Sequence, residues 1–99
     1  MINLDYIIEI IDKNKNYLIS NFEIIKIGVF GSIIINNKNN ESSDIDILVQ
    51  FKKGYKSFFN YMKFKFYLEK LFQKKVDLVM IDAVKPRLKD KILSEVRYV

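Results

Sequence analysis

The chain has 99 residues, 49% of them hydrophobic and 14% aromatic, with a formal net charge of +5, which suits one packed core and argues against a disordered chain. It has no cysteine and no histidine, so disulfides, zinc sites and Cys–His or Ser–His nucleophilic catalysis are excluded within it, and any metal must be a hard cation held by oxygen. Fifteen lysines against two arginines, scattered along the chain, read as a solvated surface, because bidentate phosphate and base recognition favours arginine; direct nucleic-acid binding is not expected.

Taken in order, residues 3–20 place Leu4, Ile7, Ile8, Ile11, Leu18 and Ile19 at near-helical spacing, which predicts a helix ending near Asn21. Asp5, Glu9 and Asp12 break its apolar run, so it is not expected to be a signal peptide, and no stretch of the chain approaches the length of a membrane span. Residues 24–30, "IIKIGVF", are short and β-branched and predict a buried strand that Gly31-Ser32 interrupts. "SIIINN" favours a helical turn, and "NNKNNESS" reads as a polar loop. "DIDILVQF", 44–51, predicts a strand with Asp44, Asp46, Leu48 and Gln50 on one face.

Beyond Gly54, residues 57–73 predict an aromatic helix with Ser57 as N-cap and Phe64, Leu68, Leu71 and Phe72 at helical spacing. Its aromatics run nearly all round, which suits a helix covered in part by another protein. "KVDLVMI", 75–81, predicts a third strand, with Asp77 on the face opposite Val76 and Leu78. Pro86 opens a last helix, 87–97, with Leu88, Ile92 and Val96 as its apolar stripe. Helices alternating with strands predict an α/β (α+β) architecture: one domain, residues 1–99, with a small mixed sheet of about three strands and helices packed on it.

Three aspartates sit in otherwise apolar strands. Asp44 and Asp46 are two residues apart, and like charges that close repel. Taken singly, Asp44 reads as a turn cap after Ser42-Ser43, and Asp77 as the exposed side of a strand. Taken together, with no basic residue inside either strand, they call for a neutralising partner. Carboxylates with water and phosphate oxygens are the ligand set that Mg²⁺ prefers. Gly31-Ser32, between a strand and a helical turn, supplies close backbone approach and N–H donors for an anion.

"GVFGS", "SDIDILVQF", "KVDLVMI" and the closing "LSEVRYV" resemble the minimal nucleotidyltransferases of the DNA polymerase β superfamily, the MntA-type antitoxins paired with HEPN-domain toxins. The resemblance implies a polymerase β-like nucleotidyltransferase fold. It implies Gly31 and Ser32 as the phosphate-binding step, and Asp44, Asp46 and Asp77 as catalytic carboxylates and metal ligands. It also implies a two-metal Mg²⁺ site, with Mn²⁺ as the alternative ion, ATP as substrate and a cytoplasmic setting. The implied reaction is transfer of AMP to a tyrosine of a HEPN-type ribonuclease toxin, within a hetero-oligomer. The alternative is a non-catalytic antitoxin that masks the toxin by contact. The family often carries arginine after the Gly-Ser step; Ile33, Ile34 and Ile35 stand there, and Lys38 is the nearest cation.

Overall fold

The computed structural model describes residues 3–31, 33–34 and 44–99. Helix α1 spans Leu4–Phe22. It starts where the Asn3 side chain accepts the Tyr6 N–H at 2.9 Å, leaving one fewer orphan donor in the first turn. It stops at Glu23, in the left-handed region at φ 54°, whose N–H donates to the Ile19 carbonyl. Leu4, Ile7, Ile11, Leu18 and Phe22 form its buried stripe.

Strand β1 (Ile24–Phe30) and strand β2 (Ile45–Phe51) pair antiparallel, with Val29 opposite Ile47 and Phe30 opposite Asp46. Helix α2 spans Phe58–Phe72, with the Ser57 hydroxyl accepting the Asn60 N–H as its cap. Strand β3 (Val76–Met80) returns parallel to β2, so α2 is the crossover that a parallel pair requires. A 3₁₀ turn, Ile81–Ala83, leads to helix α3, Pro86–Glu95, with Pro86 in its first turn. Strand β4, Arg97–Tyr98, closes the sheet in the order β3-β2-β1-β4.

Period-two alternation divides the sheet. Ile27, Val29, Ile45, Ile47, Val49, Phe51, Val76 and Leu78 share one core with the stripes of α1 and α2. Asp46 and Leu48 of β2, and Asp77 of β3, therefore belong to the opposite face. At the helix layer, buried Asn60 donates its side-chain amide to the Phe22 carbonyl at 2.9 Å and the Tyr55 carbonyl at 3.0 Å. That bond ties the end of α1 to the start of α2.

The sheet has four strands where about three were expected. The last helix ends at Glu95, not 97, which frees Arg97 and Tyr98 to pair with Val29 and Gly28. The expected stripe of that helix is not a core stripe: Leu88 is 55% exposed, and no residue of α3 is buried. Strand β2 begins at Ile45, so Asp44 precedes it instead of forming its first position. Of the expected helical turn, Ile33 and Ile34 are helical, while Ser32 and residues 35–43 lie outside the described residues.

Candidate functional site

The parallel register of β2 and β3 sets Asp46 directly beside Asp77. Three contacts hold β3 there. The Ile45 N–H donates to the Lys75 carbonyl at 3.0 Å. The Val76 N–H donates to Glu69 Oε2 of α2 at 3.0 Å. The Tyr61 hydroxyl, also on α2, donates to the Leu78 carbonyl at 2.5 Å. Burial, and then the charge of Asp77, push the Tyr61 phenol up, so it stays a neutral donor at physiological pH.

On the other side, β1 brings its last residue, Phe30, opposite Asp46, and Gly31 turns away immediately after it. Gly31 has φ +84°, and a Cβ there would overlap the Asp46 carboxylate and lie 2.9 Å from its Cγ. Only glycine satisfies both the backbone and the close approach. The Ile34 N–H donates to the Gly31 carbonyl at 3.1 Å, closing the turn that joins strand to helical residues. Backbone at a strand-to-helix turn is the place where N–H groups meet an anion.

Electrostatics follow from this geometry. Asp46 is half-buried and its carboxyl is pushed up from 3.8 to about 6. Burial is the largest cause; next come the charge of Asp77, a side-chain hydrogen bond with Asp77, and the charges of Asp44 and Glu95. A hydrogen bond that raises the value favours the protonated form, so Asp77 beside it helps Asp46 hold its proton.

The structure therefore brings Asp46, Asp77 and Gly31 together. Asp44, exposed and just ahead of β2, acts on Asp46 through its charge. Ser32, the other expected phosphate-binding residue, lies outside the described residues. Glu95 was not expected. One signal was present in the sequence: an acid on the last turn of a helix opposes the helix dipole and asks for another reason to be there. Among the described residues no group of three His, Cys, Asp or Glu side chains lies close enough to hold a metal ion alone. Nor do the open grooves beside α1 help: one lies against β1 and the other against α2, and neither is lined by an Asp or Glu side chain.

Comparison with known proteins agrees with this arrangement. Residues 11–99 match the family model described as a nucleotidyltransferase domain. The protein adenylyltransferase MntA of Thermococcus cleftensis is 37% identical over 99 residues, covering 100% of this chain and 98% of that one. A solved structure assigned as a minimal nucleotidyltransferase superposes with a TM-score of 0.82 at 27% identity, covering 97% of this chain and 95% of the other. The fold also recurs, at TM-score 0.61 and 20% identity over 88% of this chain and 69% of the other, in a structure of a tri-AMPylated Shewanella oneidensis HEPN toxin in complex with an MNT antitoxin. With a family match across nine-tenths of its length and a relative alike from end to end, the chain belongs to the nucleotidyltransferase domain family, in its minimal form.

Proposed function

We propose that residues 1–99 form a single minimal nucleotidyltransferase domain that acts as an antitoxin. On this reading it transfers AMP from ATP to a tyrosine of a cognate HEPN-type ribonuclease toxin, in the cytoplasm and within a hetero-oligomer. One observation carries it: a glycine turn that admits no side chain lies directly against the Asp46 carboxylate, beside its partner Asp77. Phosphates at the turn and carboxylates at the strand ends are the two halves of nucleotidyl transfer. The relative's name, protein adenylyltransferase, supports a protein acceptor, and the HEPN toxin of the fold neighbour, described as AMPylated, supports the kind of protein.

The backbone at Gly31 and Ser32 would bind the triphosphate. The tyrosine oxygen attacks the α-phosphorus, and the bond from that phosphorus to the oxygen bridging the β-phosphate breaks. Pyrophosphate leaves with that electron pair, and the phenol proton passes to the exposed Asp77 carboxylate. Asp46, half-buried against Gly31 and paired with Asp77, fixes where the carboxylates stand relative to the phosphate turn.

The donor set fits Mg²⁺ or Mn²⁺: it offers oxygens only, and the repulsion that pushes Asp46 up to about 6 is what a cation would relieve. Asp44, Asp46 and Asp77 would hold one or two such ions, which when bound neutralise the triphosphate and acidify the attacking hydroxyl. The described carboxylates do not close a metal shell by themselves, so phosphate oxygens and water complete it.

A masking antitoxin without catalysis is the second reading, and one observation favours it. Ile33 is 1% exposed and belongs to the core, so the position where the family often has an arginine is turned inward. Calorimetry with ATP separates the two. The enzyme reading expects ATP to bind much more tightly with Mg²⁺ than in EDTA. Equal binding in both would remove the metal-assisted mechanism.

A further inference from the structure

Helix α2 carries a stripe that the core does not use. Phe59, Lys63, Phe66 and Lys70 follow one another at helical spacing, and all are exposed. Asn60, Phe64, Leu68 and Phe72 form the buried side. The solvent side of a surface helix is ordinarily polar, yet Phe59 is 75% and Phe66 59% exposed.

The stripe borders the open groove between α1 and α2, about 400 Å³, where Tyr17 and Phe22 of α1 join Lys63, Phe66, Tyr67 and Lys70 of α2. Its rings brace one another: Tyr17 stacks on Tyr67 at 5.2 Å, and Phe22 lies 5.4 Å from Tyr67 and 5.0 Å from Phe64 of the core. Lys63 Nζ sits 5.7 Å from the ring centres of both Phe22 and Phe59. Among the described residues neither Lys63 nor Lys70 enters an ion pair, and no Asp or Glu lines the groove. Lys70 suits the negative end of α2; Lys63, in mid-helix, has no such reason to be there. The surface is aromatic, braced from below and of one charge.

We propose that this groove docks an amphipathic helix of the protein that the chain modifies, apolar where it meets Phe66 and Tyr17 and carrying carboxylates seven residues apart that meet Lys63 and Lys70. This dock rests on the nucleotidyl-transfer reading and adds to it the surface that holds the acceptor protein. Charge complementarity selects an acidic occupant, and the spacing selects a helix. Lys63 and Lys70 stand two turns apart, about 10 Å, the distance over which a helix laid alongside repeats its contact face. An extended chain covers that distance in about three residues, which puts the two side chains on opposite faces. A second copy of this chain would bring lysine against lysine. Single-stranded nucleic acid stacks on free ring faces, whereas Tyr17, Phe22 and Tyr67 lie against one another. The groove belongs to the helix layer and Asp46 and Asp77 to the opposite face of the sheet, so docking is measurable apart from catalysis.

The test is the affinity of the full chain for the HEPN-type toxin proposed as its partner, measured by calorimetry in EDTA without nucleotide, so that no AMP is transferred. Lys63→Glu/Lys70→Glu should weaken binding roughly ten-fold or more, while Lys63→Arg/Lys70→Arg, which keeps the charge, should stay within about two-fold of wild type. Phe66→Ser removes the exposed ring between the two lysines and should also weaken binding roughly ten-fold. Circular dichroism should show each variant folded. Binding by Lys63→Glu/Lys70→Glu or by Phe66→Ser within about two-fold of wild type would overturn the groove as the dock and leave the proposed function standing. Equal losses in the glutamate and arginine variants would overturn the charge match. Wild-type dimers in light scattering that Phe66→Ser dissociates would give the groove to a second copy and overturn the proposal. Binding of single-stranded oligoadenylate that Lys63→Glu/Lys70→Glu abolishes would give it to nucleic acid, with the same consequence. A wild type that does not bind the toxin would overturn the proposed partner, and the groove's occupant with it.

Discussion

Replacing Asp46 with Asn should make the empty protein more stable at neutral pH, although it removes a residue of the candidate site. Asp46 is pushed up from 3.8 to about 6, first by burial and then by Asp77. At 1.36 kcal/mol per pH unit, that is at most about 3 kcal/mol of differential stability. The side chain is only half-buried, so solvent screening leaves about 1–2 kcal/mol. The folded state holds the proton more tightly than the unfolded chain. The contribution is therefore fully present below about pH 3.8 and is lost as pH rises through about 6. Asn cannot ionise, and its amide can donate to Asp77 in place of the lost proton. Calorimetric melting in EDTA, without nucleotide, should place Asp46→Asn roughly 5–10 °C above wild type at pH 7.5. The two should converge near pH 3.5. Added Mg²⁺ and ATP should reverse the order, because only wild type gains from binding. Equal melting temperatures at pH 7.5, or a difference that grows as pH falls, would refute the crowded-carboxylate account.

Gly31→Ala must place a Cβ at φ +84° and against the Asp46 carboxylate. It should cost about 2 kcal/mol or more in urea titrations, from left-handed strain plus displacement of Asp46, and should weaken ATP binding beyond what the stability loss explains. Asn60→Ala strands the Phe22 and Tyr55 carbonyls; a loss of about 1–3 kcal/mol is expected by the same titration, with ATP affinity unchanged.

Much of the layered fold was legible because its signals are periodic. The three-four spacing of Leu4, Ile7, Ile11 and Leu18 marked α1, and the apolar runs at 24–30, 45–51 and 76–80 marked the strands. Ser57 marked its own helix start through cap chemistry. The closeness of Asp46 and Asp77 could be guessed from their alternation, but their shared register is a tertiary fact set by how α2 crosses over. What failed had no periodic signal. Two residues, Arg97 and Tyr98, are too few to announce a strand, so the last helix was expected to run on through Arg97 and no fourth strand was expected. Leu88 fell on a helical stripe, yet it is exposed and Ile92 and Val96 are only half-buried, so the pattern described a face that the core covers in part. Glu95 was invisible for a related reason: its charge acts on Asp46 from a distant part of the chain, a tertiary fact that no local pattern contains. Even the need for glycine at position 31 had a half that no local rule contains, since the Asp46 carboxylate that excludes a Cβ comes from the neighbouring strand.

The central claim, that this minimal nucleotidyltransferase modifies a protein partner instead of only covering it, is tested most directly by the mass of that partner. The HEPN-type toxin proposed as its partner is incubated with ATP, Mg²⁺ and either the wild-type chain or the Asp44→Asn/Asp46→Asn double variant, then separated and weighed by mass spectrometry. The account predicts one or more added AMP units on a tyrosine with wild type and none with the variant, and a toxin that stays inactive after wild type has been removed. An unmodified toxin that both proteins neutralise equally, and that recovers its ribonuclease activity on separation, would contradict the account.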